Sequence, residues 1–220
     1  MGLLGALVSS LAWALTADQV AARIRNKITS KWKTQGLQVQ VVPFADTTQA
    51  PHGRFKSISV SANGVWVSDV KMSPVRIKAS DVTLDLNALV RQNQVVTTRR
   101  KIGSFIAKVS EADLNKALSH KDTPIQDLHV ALSRGTLVFT GRYKLGFGVN
   151  LRLEGKLESP DHYKINFVPT KASVSGVPLP AGPLKVVLSK MNPLVDLRKL
   201  PLNPRISKLI VEPSGLVVQG

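Results

Sequence analysis

The chain contains no cysteine, which excludes disulfides, thiolate metal sites and cysteine nucleophiles together. Aromatic residues make up only 5% of it, so its apolar load falls to Val, Leu, Ile and Ala, a composition that suits strands. Its four histidines, His52, His120, His129 and His162, lie far apart, without an i, i+4 pair or metal-ligand spacing. A Gly-x-Ser-x-Gly elbow and a Walker loop are both missing. Gly146-Phe147-Gly148 matches only the start of a dinucleotide fingerprint, lying in a strand pattern without the third glycine or the helix. Asp81 and Asp85 share a strand face, and Glu111 and Asp113 open a helix. Neither pair sits beside the basic or aromatic subsite that paired-carboxylate catalysis requires. The expectation is a non-enzymatic chain with no catalytic residue, no metal and no cofactor.

What is plentiful is positive charge. Among 220 residues, 30 are Lys or Arg and 14 are Asp or Glu, a net charge of +16 carried through both halves. A field of that sign favours polyanions: anionic lipid headgroups, acidic glycans or nucleic acid. A basic polyanion- or nucleic-acid-binding protein is therefore the alternative reading. Against nucleic acid stands the placing of the aromatics, which fall on apolar faces and do not interleave with the basic residues as base-stacking groups do.

The N-terminus points to export. No charged side chain occurs from Gly2 to Ala17, and Leu3–Leu15 has the form of a signal-peptide apolar region. Small-residue cleavage patterns follow at Ala12-Trp13-Ala14 and at Ala17, although no basic residue precedes the run. The stretch is slightly short of the roughly 17–25 residues that span a bilayer, which makes a permanent anchor the second reading. Myristoylation is disfavoured because position 6 is Ala. Residues 1–17 are accordingly read as a signal peptide or anchor, and 18–220 as one domain.

Thr16-Ala17-Asp18-Gln19 is a capping box, predicting a helix from there to Trp32 or Lys33. Val20, Ile24, Ile28 and Trp32 form its apolar stripe, and Arg23, Arg25, Lys27, Lys31 and Lys33 cover the other faces. Such a helix packs on a sheet or lies on an anionic membrane. Short alternating strands run from Leu37 to Val109, with a hairpin signal at Asn63-Gly64 and a basic loop at Thr97–Lys101. Ser110-Glu111-Ala112-Asp113 starts a short helix. Leu184, Val187, Leu188 and Met191 mark another, ended by Asn192-Pro193.

From Arg142 to Glu154 apolar and polar residues alternate without a break: Tyr143, Leu145, Phe147, Val149, Leu151 and Leu153 share one face. As one strand this stretch would run about 40 Å. The expected fold class is α+β: a long curved antiparallel β-sheet with a few amphipathic helices packed on it, in the manner of a lipid cradle. Gly135–Gly141 and Gly215–Gly220 echo each other weakly, each after a helix and a strand.

Several stretches resemble the LmeA-like family of bacterial envelope proteins, described as phospholipid-binding. They are Ser110-Glu111-Ala112-Asp113-Leu114-Asn115, the hairpin end Leu137–Gly141, Gly176-Val177-Pro178-Leu179-Pro180, and the closing Gly215–Gly220. Most specific is Asn192-Pro193-Leu194-Val195-Asp196-Leu197-Arg198-Lys199-Leu200-Pro201-Leu202, continuing into Arg205-Ile206. Read physically, that run is a structural corner: Asn192 stops a helix, the prolines fix φ, and Asp196 caps local N–H groups. The resemblance implies an exported protein of the periplasm or cell envelope that binds phospholipid, anionic by its charge, and meets a membrane surface. No settled lipid contact transfers with it. Acyl chains are expected on Tyr143, Phe147 and Leu151 beneath the helix residues Leu184, Leu188 and Met191. The headgroup is expected near Arg134, Arg205 and Lys208.

Overall fold

The computed structural model describes residues 15–45, 50, 52–67, 69–145, 147–200, 202 and 204–220; the side chains of Ile102, Lys144, Leu145, Phe147 and Lys199 fall outside this set. Nearly all of the segment read as a signal peptide also lies outside it. The chain starts with α1 (Ala17–Lys31), then β1 (Thr34–Gln35), β2 (Gln38–Pro43), β3 (Arg54–Ala62), β4 (Gly64–Val67), β5 (Val70–Met72) and β6 (Val75–Leu84). Next come α2 (Leu86–Arg91), β7 (Thr97–Val109), α3 (Glu111–Ser119), β8 (Ile125–Ser133), β9 (Thr136–Leu145), β10 (Phe147–Glu158) and β11 (Lys164–Val174). The chain finishes with β12 (Val177–Pro178), α4 (Ala181–Met191), β13 (Val195–Asp196), a 3-10 turn at Leu197–Lys199, β14 (Lys208–Glu212) and β15 (Gly215–Gln219).

Two six-stranded antiparallel sheets carry the fold. One has the order β14-β15-β7-β6-β3-β2; the other runs β12-β11-β10-β9-β8, with β13 on β11. A three-stranded sheet, β1-β4-β5, joins them from the side. The curled, half-barrel form is the cradle-like α+β class expected from the patterning. Each six-stranded sheet is built mainly from a meander preceded by a helix, and the last hairpin returns to complete the first sheet. The echoing hairpins meet there: the Gly135 N–H donates to Val211 O at 3.0 Å. One continuous cluster of buried side chains runs from Leu15 and Val20 through both sheets to Val218.

The helices are placed by their apolar stripes. α1 starts with the predicted capping box, the Gln19 N–H donating to Thr16 Oγ1 and the Thr16 N–H to Gln19 Oε1. It buries Val20, Ala21, Ile24 and Ile28, which turns its apolar face inward and leaves its cations at the sides and on the outside. α2 was not anticipated, because Leu86 continues the alternation of Val82 and Leu84. Asp85 makes the break by capping the helix, accepting from the Ala88 N–H at 2.9 Å.

Three strand expectations are corrected. The run Arg142–Glu154 is two strands of a hairpin, with Leu145 opposite Phe147, Tyr143 opposite Val149 and Gly141 opposite Leu151. Odd positions face odd positions, so the apolar set stays on one face through the reversal and the alternation cannot report it. Asn63-Gly64 makes no hairpin: neither residue takes the positive φ of a type I′ turn, and the chain passes there from β3 in one sheet to β4 in another. Thr97–Lys101 is the start of the long strand β7.

The acids singled out in the sequence serve structure. Asp81, held in a left-handed bulge, pairs with Arg54 at 3.0 Å and Arg99 at 3.1 Å. The Arg54 hydrogen bond and the neighbouring cations hold its carboxyl below the usual carboxylate range. Glu111 accepts the Leu132 N–H at 2.6 Å, and Asp113 accepts from the Ser110 hydroxyl at 2.6 Å.

Between β10 and β11 the register shifts at Glu154/Gly155, and the backbones come close. A Cβ on Gly155 would lie 2.2 Å from Val168 O and 2.7 Å from Pro169 Cα. Gly155→Ala is therefore expected to cost about 1–3 kcal/mol of stability, read as a lower denaturation midpoint with an unchanged m-value. An unchanged midpoint would show that the strands part easily here.

Candidate functional site

Three segments far apart in sequence meet at one groove. The first is the second half of α1, where Ile24 and Ile28 face inward and Lys27, Lys31 and Trp32 stand at the side. The second is the link between α2 and β7 with the first residues of β7: Gln94, Val95, Val96, Thr97 and Arg100. This link is fixed by the Asp85 N–H donating to Val96 O at 2.9 Å and the Gln94 N–H to Ala88 O at 3.0 Å. The third is the corner after β13, giving Arg198, Leu200 and Leu202. The cavity between them measures about 610 Å³.

Its floor is apolar and its mouth is cationic. Ile24, Ile28, Leu200 and Leu202 are buried, Val95 and Trp32 are half-buried, and Val96 is exposed. Lys27 and Arg100 are half-buried; Lys31 and Arg198 are exposed. Lys31 Nζ lies 5.9 Å from the Trp32 ring centroid, within reach of a cation–π contact. Among the described residues no acid lines the groove. The nearest carboxylate in the corner, Asp196, is engaged by Arg198: Nε donates to Oδ1 at 3.0 Å and a terminal guanidinium nitrogen to Oδ2 at 2.6 Å. That fork pulls the Asp196 carboxyl below the usual range and pushes the Arg198 guanidinium above its own. Asp196 also accepts the Arg198 N–H at 3.1 Å, the local capping role read from the sequence. The fork fixes where the Arg198 charge stands at the groove mouth.

Such a lining has the chemistry to suit an amphiphile. Four cations offer charge-assisted hydrogen bonds to an anion, and the branched side chains beneath offer a dry surface to a hydrocarbon. Thr97 is the one hydroxyl residue of the lining, and no histidine, cysteine or carboxylate residue lies with it. Among the described residues, no group of three or more His, Cys, Asp or Glu could hold a metal ion.

The residues expected to hold lipid lie elsewhere. Tyr143 and Leu151 point from the β9–β10 hairpin into the core, 7% and 2% exposed, and Met191 is fully buried. Leu184 and Leu188 are half-buried on the inner side of α4, packed against that core. The Phe147 side chain lies outside the described residues. Leu151 also borders a polar depression of about 760 Å³ with Arg142, Asn150 and Arg152, where Arg142 is ion-paired to Asp127. Arg134, Arg205 and Lys208 are exposed. Arg134 stands at the β8–β9 turn, Lys208 opens β14, and the Arg205 guanidinium lies 5.9 Å from the Tyr163 ring. Apart from Phe147, whose side chain is not among those described, none of these residues lines the groove under α1.

The basic face of α1, the basic stretch at 97–101 and the Asn192–Leu202 corner were each visible in the sequence. Their convergence is a product of tertiary structure. The one local sign was their shared composition, cations beside branched apolar residues. Among the described residues no helix is long and apolar enough to cross a membrane. A family model described as LmeA-like phospholipid-binding matches residues 7–220. Comparison with curated proteins and with solved structures gives no match.

Proposed function

This chain belongs to the LmeA-like phospholipid-binding family, and on that premise we propose that it holds an anionic phospholipid in the groove under α1. The observation that carries this reading is the groove's division into an apolar floor and a mouth of Lys27, Lys31, Arg100 and Arg198, with no acid among the described lining residues. An acyl chain would lie on Ile24, Ile28, Leu200 and Leu202, and the headgroup phosphate would meet the cations. Binding, without bond-breaking, is the activity proposed.

The volume limits what fits. A cavity of 150 Å³ that takes benzene implies roughly 25 Å³ per carbon, so 610 Å³ accommodates about 24 carbons. One acyl chain and part of the glycerol end fill that space; two chains overfill it. The second chain of a diacyl lipid would stay outside, an arrangement that suits loading at a membrane surface. The face of Tyr143, Phe147 and Leu151 beneath Leu184, Leu188 and Met191 is a second proposed seat. Leu184 and Leu188, only half-buried, are the observation in its favour, and a chain entering there must part the core.

Export to the cell envelope is part of the same proposal, with residues 18–220 acting as one lipid-binding unit. Of the two cleavage patterns, the one ending at Ala14 spares Leu15, which is buried, and Thr16, which caps α1. Cleavage after Ala17 would remove both.

Native mass spectrometry of the protein purified from membrane-containing cells tests the reading. The expected spectrum contains a species heavier by one phospholipid, enriched in anionic headgroups. Bare protein in every preparation, together with no binding to phosphatidylglycerol vesicles, overturns it.

A further inference from the structure

The two most exposed large apolar side chains among the described residues are Val177, 66% exposed, and Val186, 51% exposed. They stand nine residues apart, one on β12 and one on α4. β11 turns into β12 through Ser175 and Gly176, both at positive φ, with Val174 paired to Val177 across the turn. That is the torsional form of a tight two-residue hairpin, and it presents Val177 and Pro178 at the outer edge of the sheet, both exposed. Pro180 then leads directly into α4. This helix turns Val187 and Met191 fully inward, leaving Lys185, Val186, Ser189 and Lys190 on the outer side.

The charge of this part of the chain has one sign. From His162 to Val195 there is no Asp or Glu, and the four charged residues are Lys164, Lys171, Lys185 and Lys190. Lys171, Lys185 and Lys190 are exposed, on the strand before the turn and on the same outer face of α4 as Val186. Lys171 stands opposite Glu154 across β10 and β11, which leaves Lys185 and Lys190 beside Val186 as the unopposed charge, and apolar tips with these lysines match an anionic lipid interface. The valines and Pro178 enter the acyl boundary while the lysine heads stay at phosphate level on their long stems. A second copy of the chain fits poorly, because a two-fold contact would set these lysines against their own images.

We propose that the β11–β12 turn and the outer face of α4 form the surface by which the protein docks on an anionic membrane. The proposal rests on the reading of the chain as a phospholipid binder and adds a place of contact separate from the groove. It assigns the Gly176–Pro180 run and Val186 to the interface, where their exposure has a use.

Flotation of the full protein with phosphatidylcholine vesicles, with and without phosphatidylglycerol, tests it. Wild type is expected to float with the anionic vesicles. Val177→Asp/Val186→Asp is expected to lower the bound fraction about tenfold. Both sites are exposed, so its melting temperature should match wild type; Val177→Ser/Val186→Ser, which adds no charge, should fall between the two. Uptake of monomeric lysophosphatidylglycerol into the groove should be the same in all three proteins. A double variant that floats like wild type overturns the docking surface. So does light scattering that finds a wild-type dimer which the valine substitutions dissociate. Failure of wild type to take up lysophosphatidylglycerol counts against the groove alone, with flotation still deciding the docking surface.

Discussion

Lys27→Glu/Lys31→Glu binds anionic phospholipid about 10- to 100-fold more weakly than wild type, the largest effect on binding expected of any surface change. Each lysine near an anionic headgroup contributes about 1 kcal/mol, and reversal replaces two attractions with two repulsions. Solvent screening of the exposed Lys31 brings the sum to roughly half its nominal value. Both lysines lie in the second half of α1, where a glutamate opposes the helix dipole at a cost below about 1 kcal/mol, so the fold survives. Lys27→Gln/Lys31→Gln, which removes charge without reversing it, should lose less. Reversal of Lys56 and Lys156, exposed and outside the groove, should change affinity little. Titration of each variant with phosphatidylglycerol at two salt concentrations makes the comparison. If Arg134→Glu/Arg205→Glu/Lys208→Glu loses affinity while the groove variant keeps it, the headgroup sits at the far side and the groove reading falls.

Asn115→Ala and Asn192→Ala are each expected to lose about 2–4 kcal/mol of stability, because each asparagine does the work of a missing strand. Asn115, on α3, donates to Val130 O at 2.8 Å and accepts the Val130 N–H at 2.7 Å. Asn192, closing α4, donates to Phe167 O and accepts the Phe167 N–H, both at 2.9 Å. In each case one side-chain amide pairs with both polar groups of a strand residue, as a peptide unit would. Alanine leaves a part-buried donor and acceptor with water alone or with nothing. For a chain of this size the loss corresponds to a melting temperature lower by about 4–16 °C. Aspartate at either site keeps the acceptor and loses the donor, so it should retain part of the stability. Melting temperatures within a degree or two of wild type would show that water replaces the amides without cost.

These asparagines show how the sequence was legible and where it was not. Both belong to the motifs that resemble the family, and the structural-corner reading of Asn192 and Asp196 holds in the hydrogen bonds they make. The capping box of α1, the helix start at Ser110, the apolar stripes of α1 and α4, and the α+β class were likewise readable, because each follows from local spacing. The β9–β10 reversal escaped because an even register leaves the alternation intact. α2 escaped because its only signal, the Asp85 cap, is one residue inside an apolar alternation. The groove escaped for a different reason. Ile28, Val95 and Leu200 look like ordinary core residues in their own segments, and only the tertiary fold brings them to one groove.

The two asparagines also bear on how the protein behaves beside other chains. The outer edge of β8 is occupied by Asn115 and by Glu111, which takes the Leu132 N–H. The outer edge of β11 is covered in turn by β13 at Lys164 and Ile165, by Asn192 at Phe167, and by β12 at Ser173 and Val174. Free edges recruit strands from other molecules; the β8 edge is stopped by side chains, and the β11 edge by a side chain between two two-residue strands. Neither of these two edges then offers a long free strand to another molecule. The asparagine variants should consequently form aggregates under conditions where wild type stays dispersed, even at temperatures well below their melting points.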